Sequence, residues 1–398
     1  MFDYRHYVPI LRQKGAEMEA LRGLSPEDKK RMTPLLELPL TLQETRRRKN
    51  LINRDLFADV AKQIAASWGQ TLIFVDLWLI DSIFRSSRGK HPFWLLCEAA
   101  RTLRIPLIPV TGPNRSEEYQ EAVEKVVAID RRGVCVRLTE EHLRNPLLEK
   151  ELRRFMSTFK LRPKMVDILI DLGNIGIESM SLAEICYRLP LLTSWRTFTV
   201  ACGAFPKDLS DFDKNLQHEL PRRDWLYWFD QIKSGPVLPR RPSFGDYTIQ
   251  HPIYSDPPKG GNPSASIRYT AENYWVIMRG EALRTEGGPG FAQYWANARL
   301  LSGRSEFSGQ NFSKGDEYIY TIDQQTKLTG NPQRWLFAGI NHHLAFVNRQ
   351  IANSFGSSTD GAPKSGSGPG LLPPQASRKS SPEASSARLQ PYQVPLIK

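Results

Sequence analysis

Residues 105–138, IPLIPVTGPNRSEEYQEAVEKVVAIDRRGVCVRL, decide the fold. A short β-rich apolar run at Ile105 leads into a charged, helix-permissive stretch that Ser116 can cap at its first turn, and a second apolar run starts at Gly133. Strand, helix and strand in that order make a βαβ unit, whose two strands are parallel. The same alternation extends both ways along the chain. Further apolar runs begin at Tyr7 (YVPILR), Thr33 (TPLLELP), Leu72 (LIFVDLW), Val166 (VDILIDLG) and Phe198 (FTVACGAF), with helix candidates such as NRDLFADVAKQIAASWG and LLEKELRRFMSTF between them.

Seven strands are therefore expected before residue 204. The eighth has two candidates, Phe244 to Tyr254 (FGDYTIQHPIY) and Ser266 to Thr270 (SIRYT). Eight such units fill close to the ~250 residues of a (β/α)8 TIM-barrel-like fold. An open doubly wound sheet is the competing α/β arrangement. The barrel is favoured because no G-x-G-x-x-G or Walker loop follows any strand. Downstream, SIRYT and YWVIMRG flank a short polar AEN and predict an antiparallel hairpin, followed by the helical stretch FAQYWANARLLSG. The expected organisation is a barrel over 1–253, a C-terminal hairpin and helical cap over 254–353, and a disordered tail over 354–398. That tail is dominated by Ser, Pro, Gly and Ala and lacks apolar periodicity, so it buries too little surface to offset its ordering entropy.

The 398 residues include 54 Lys+Arg against 42 Asp+Glu, a net charge of +12, with 40% apolar and 24% charged residues. This is a globular composition with a basic tilt, which excludes a wholly disordered, collagen-like or disulfide-stapled chain. Of the +12, the tail carries five basic residues against two acidic ones. Cys97, Cys135, Cys186 and Cys202 are far apart in apolar stretches and read as reduced core thiols. No signal-peptide h-region opens the chain and no apolar run is long enough to span a bilayer, so a cytoplasmic protein without a membrane partner is expected.

In a parallel barrel the ligand site lies at the C-terminal ends of the strands. Glu37, Asp76, Thr111, Arg137, Asp171 and Lys207 fall there. Two readings stand side by side: three acids and an arginine satisfying one another as a structural layer, or a ligand site. As a site, Glu37, Asp76 and Asp171 offer oxygen ligands for Mg²⁺ or Mn²⁺. Arg137, Arg268 and Lys259 in turn offer an anion pocket. Among the histidines, His251 and the His342–His343 pair stand out as acid, base or ligand candidates, although a satisfied core histidine capping the barrel is the plainer explanation for either member of the pair. Basic groups at RRRK (46–49), PRR (221–223) and PRRP (239–242), near the WLYWF cluster, raise nucleic-acid binding. Burial of WLYWF in a helix face or strand is the plainer reading.

Several of these segments together resemble the phage beta protein family. They are YVPILRQKGAEMEAL, TPLLELP, IPLIPVTG, VDILIDLG, SFGDYTIQHP, SIRYTAENYWVIMRG, FSKGDEYIY and TGNPQRWLFAGINHHLAF, spread from residue 7 to about 348. The resemblance implies a phage or bacterial cytoplasmic protein with a barrel-like body, and it brings no established activity with it. It adds weight to Gly245, Asp246, His251, Arg268, Asn341 and His342, which lie in its most distinctive segments, and it implies a part in phage–host conflict.

The leading expectation is recognition of an anionic ligand, phosphate-containing or nucleic acid, at the barrel's C-terminal rim. Arg137, Arg268 and Lys259 would hold the anion, and Glu37, Asp76 and Asp171 would orient them or bind metal. A second is a metal-assisted phosphodiester hydrolase in which Asp76 and Asp171 hold the ion and His251 is the acid or base. A third is a protein-interaction module that uses the aromatic-rich cap.

Overall fold

Parallel pairing closes the strand repeat into a ring. Strands β1 (Tyr7–Arg12), β2 (Leu35–Glu37), β3 (Ile73–Asp76), β4 (Leu107–Thr111), β5 (Val134–Thr139), β6 (Val166–Asn174) and β7 (Thr197–Gly203) pair in chain order. Strand β8 (Leu216–Pro221) then leaves the ring, and β9 (Ser243–Asp246) closes it between β7 and β1. The eighth barrel strand is thus the Phe244 candidate. Ser264–Thr270 (β10) instead pairs antiparallel with Tyr274–Ala282 (β11), as the hairpin reading expects, and β8 adds to the far side of β11. The cap sheet therefore borrows a strand from within the stretch read as barrel.

The computed structural model describes residues 2–39, 54–84, 90–255, 260–325 and 328–355. Lys259, the basic run at 46–49 and the chain from 356 onward lie outside them. Among the described residues no helix is long and apolar enough to cross a membrane.

Strand alternation sorts the core into two regions. Val8, Ile10, Leu35, Phe74, Ile108, Val110, Cys135, Leu169, Ala201 and Tyr247 pack together inside the ring. Their strand neighbours, such as Leu11, Leu36, Val75 and Val136, pack outward against the helices. Serine caps start several of these helices: Ser116 accepts from the Tyr119 amide ahead of Glu117–Asp130, and Ser313 caps Lys314–Gln324 in the same way. Trp225 and Trp228 of WLYWF are buried against Phe244, which is the plainer of the two readings of that cluster. All four cysteines are buried and unpaired.

The long helix Pro332–Phe355 clamps the cap to the barrel. Adjacent residues on a helix point about 100° apart, and His342 and His343 accordingly reach different carboxylates. His343 Nε2 lies 2.9 Å from Asp246 at the end of β9, and His342 Nδ1 lies 2.9 Å from Asp316 in the cap. Their other ring nitrogens both meet Thr270 of β10, on its hydroxyl and its carbonyl respectively. Asn341 joins the same seam, donating to the Ala20 carbonyl and accepting from the Gly315 amide.

Burial also sets a pH dependence. It pushes the pKa values of His6 and His91 down to about 4 each, and it lowers that of His343 against the pull of Asp246. In the unfolded chain these groups titrate near 6.5. Their stabilising contribution is therefore complete above that pH and is lost as pH falls through the lowered folded values, about 4 for His6 and His91. Asp224, raised to about 7 by burial, and Glu17, also raised by burial, run in the opposite direction. The double variant His6→Gln, His91→Gln should lose about 1–3 kcal/mol less than the parent between pH 7 and 4.5 in urea unfolding. Coincident slopes would show that neither imidazole is held neutral by the fold.

Candidate functional site

Each strand that sends an apolar side chain into the barrel sends the next inward residue, two positions on, toward the C-terminal rim. Ile10 is followed by Arg12, Leu35 by Glu37, Phe74 by Asp76, Cys135 by Arg137 and Leu169 by Asp171. These side chains meet. Arg137 Nη1 donates to Glu37 at 2.8 Å and to Asp76 at 3.0 Å, while Nη2 donates to Asp171 at 2.6 Å and to the Tyr247 hydroxyl at 2.7 Å. Tyr247 in turn donates to Asp171 at 2.7 Å. Arg115, from the loop after β4, donates to Asp76 at 2.9 Å, and Arg12 stands 3.7 Å from Glu37. Burial alone would lower the pKa of Arg137. Tyr247, Asp171, Glu37 and Asp76 outweigh that and hold it well above its ordinary value.

Three guanidiniums thus face three carboxylates in a layer with no net charge. Asp76 Oδ1 also accepts from the Tyr119 hydroxyl and Asp171 Oδ1 from the Gly173 amide, the Trp78 indole shares Glu37 Oε1 with Arg137, and Glu37 Oε2 is buried without a hydrogen bond, facing Arg12 at 3.7 Å. Of the two readings, this pairing of acids with arginines matches the structural layer. The acids point at Arg137, and among the described residues no three His, Cys, Asp or Glu side chains are placed to hold a metal ion. His251, expected to act with Asp76 and Asp171, sits apart from them on a cavity wall.

That cavity, about 500 Å³, opens above the layer between the barrel rim and the cap. Arg12, Lys14 and Glu17 line it from the end of β1, Lys207 from beyond β7, His251 from the loop after β9, and Arg268 from β10. Arg268 donates from Nη1 to the Ile249 carbonyl at 2.9 Å and lies 4.7 Å from the Phe205 ring centroid. Among the described residues no carboxylate pairs with it, and burial pushes its pKa down to about 10. Lys207 is exposed beside it and also lacks an ion pair among the described residues. Arg12 is held by Gln250 and by the carbonyls of His251 and Pro252. His251 accepts from the Ile253 amide at Nδ1, which leaves Nε2 as its other polar atom. Tyr254, Tyr294 and Trp335 supply aromatic wall.

The residues expected to form one site therefore lie in three places. Glu37, Asp76, Asp171 and Arg137 form the layer, and Arg268 and His251 line the cavity. Asp246, Asn341 and His342 are buried in the seam between barrel and cap. Strand alternation explains the misplacement of Asp246: it points outward, to the Tyr7 hydroxyl and His343, while Tyr247 next to it points inward. Tyr247, Arg12, Arg115 and Glu17 are residues of the layer and the cavity that sequence reading missed. The two-residue period from Ile10 and from Gly245 was the signal for Arg12 and Tyr247; Arg115 and Glu17 lie outside strands, where no periodicity marks them.

A family model described as Beta protein matches residues 7–349. No curated protein matches the chain. Among solved structures, a mutant tryptophan synthase α-subunit from Pyrococcus furiosus is 14% identical, over 63% of this chain and 90% of that one, with a TM-score of 0.37. A type I 3-dehydroquinate dehydratase from Clostridium difficile is 9% identical, over 62% of this chain and 87% of that one, with a TM-score of 0.32.

Removing the central cation leaves three buried carboxylates facing one another. Arg137→Ala should cost about 3–5 kcal/mol at pH 7. Arg137→Lys keeps a positive charge without the forked donors and should recover part of that loss. Equal deficits for the two variants in urea unfolding would refute the charge-balance account of the layer.

Proposed function

Because the chain belongs to the Beta protein family, matched over residues 7–349, and its barrel rim opens into a basic cavity, we propose that it recognises a small anionic ligand there. Arg268 carries the reading. A half-buried guanidinium without a carboxylate is costly, and an anion arriving in the cavity offsets that cost with charge-assisted hydrogen bonds. Lys207, Lys14 and Arg12 add positive potential, against Glu17 and Asp208 on the same walls.

The volume falls within the range of small-molecule sites. The walls of Tyr254, Tyr294 and Trp335 suit a ligand with an aromatic or apolar body behind its charged group. A cavity of this size favours a phosphate-containing small molecule or a single nucleotide over a nucleic-acid duplex, which needs an extended basic face. Four buried, unpaired cysteines support action in a reducing compartment such as the cytoplasm. A role in phage–host conflict has only the family resemblance behind it.

Calorimetric titration with AMP and with inorganic phosphate tests the reading. Arg268→Ala should weaken both by roughly 10- to 100-fold, the loss of a charge-assisted contact. Lys207→Ala, at the exposed margin, should weaken them only severalfold. Unchanged affinity in Arg268→Ala would remove the proposal.

A further inference from the structure

The rim cavity contains one feature that a general anion site would not. Glu17, the third residue of the helix Gly15–Arg22 that follows β1, lines the cavity and is 1% exposed. Its Oε1 accepts from Gln250 Nε2 at 2.8 Å, whereas Oε2 is buried with no hydrogen-bond partner. Among the described residues no cation lies within ion-pair distance of it. Arg12 and Lys14 act on it only from farther off, and burial raises its pKa. An unsatisfied buried carboxylate oxygen is a costly group, and in native proteins such a group marks a missing partner.

A carboxylate in a pocket for anions repels every anion that offers only acceptor oxygens. It attracts one that brings a hydrogen of its own. We propose that the cavity selects an anion carrying its own hydrogen-bond donor, with Arg268 taking the charge and Glu17 accepting the donor; this rests on the anion-site reading above. Two groups share that chemistry: a phosphate that keeps a P–OH near neutral pH, and a carboxylate flanked by a hydroxyl. Sulfate and acetate match them in charge and shape and lack the donor at pH 7. The arrangement makes Glu17 a specificity-determining residue, since a polar group left unpaired by the wrong ligand discriminates more strongly than shape does.

The test is calorimetric titration of the full chain at pH 7 and constant ionic strength with two matched pairs, phosphate against sulfate and glycolate against acetate. The wild type should bind the donor-bearing member of at least one pair roughly tenfold more tightly, and the pair that responds names the ligand's anionic group. Glu17→Gln keeps the side-chain shape and the Gln250 contact. It should bring that pair to within about twofold, mainly by improving the donorless anion. Arg268→Ala should weaken both members together. If the wild type binds both members of each pair equally, or if the preference survives in Glu17→Gln, while Arg268→Ala still weakens binding, the selectivity inference falls and the anion site stands. If the wild type binds none of the four, the anion site falls and the inference with it. Should Glu17→Gln fail to fold, the wild-type ratios decide alone.

Discussion

One guanidinium holds the top of this barrel together. Arg137, rising from β5, bonds carboxylates from β2, β3 and β6 and the hydroxyl of Tyr247 just beyond β9, so that a single side chain ties the ends of elements spread around the ring. Three buried acids would otherwise repel one another, and the strands that carry them would splay. With Arg12 and Arg115 completing a three-against-three balance, the layer becomes a polar lid on the apolar interior. The desolvation of six ionised groups is the cost of this arrangement, and hydrogen bonds at nearly every oxygen offset it.

Charge balance in the layer sharpens the meaning of imbalance above it. Five positions along the chain separate Arg12, which faces Glu37, from Glu17, which has an oxygen without a hydrogen bond, and the same loop that supplies Tyr247 to the layer continues to His251 on the cavity wall. Below, every charge has an opposite within the protein. In the cavity, Arg268 and Lys207 have none among the described residues, and Glu17 has a single amide donor. Conflicts of this kind between local physics and global stability concentrate where a ligand completes the structure.

How far the sequence disclosed this depends on what each residue's signal was. The seven apolar runs gave the barrel strands nearly at their true starts, because parallel strands covered by helices are apolar on both faces. Leu216–Pro221 was invisible for the opposite reason: it is an edge strand, rich in polar residues and ending in proline, on an exposed side of the cap. The candidate acids and Arg137 were legible as strand-end residues, but whether they bind each other or a ligand depends on distances that composition does not encode. His342 and His343 were legible as a pair with divergent directions, and the structure sends them to two carboxylates accordingly.

The seam residues that looked like ligand contacts do bear on the cavity, through position. Arg268 and Thr270 lie two residues apart on β10, and Thr270 is gripped by both His342 and His343 while Tyr269 between them donates to Asp316. The helix bearing the histidines approaches β10 so closely at Gly339 that a Cβ there would sit 2.6 Å from the Arg268 carbonyl and 2.7 Å from Ile249 Cδ1. Glycine is required at this point for close packing. Ile249 is also the residue whose carbonyl receives Arg268 Nη1, so one helix fixes both the backbone of Arg268 and the partner that aims its side chain. Asp246 anchors that helix to the barrel through His343, and the unpaired guanidinium is thereby set over the rim by contacts that never touch a ligand.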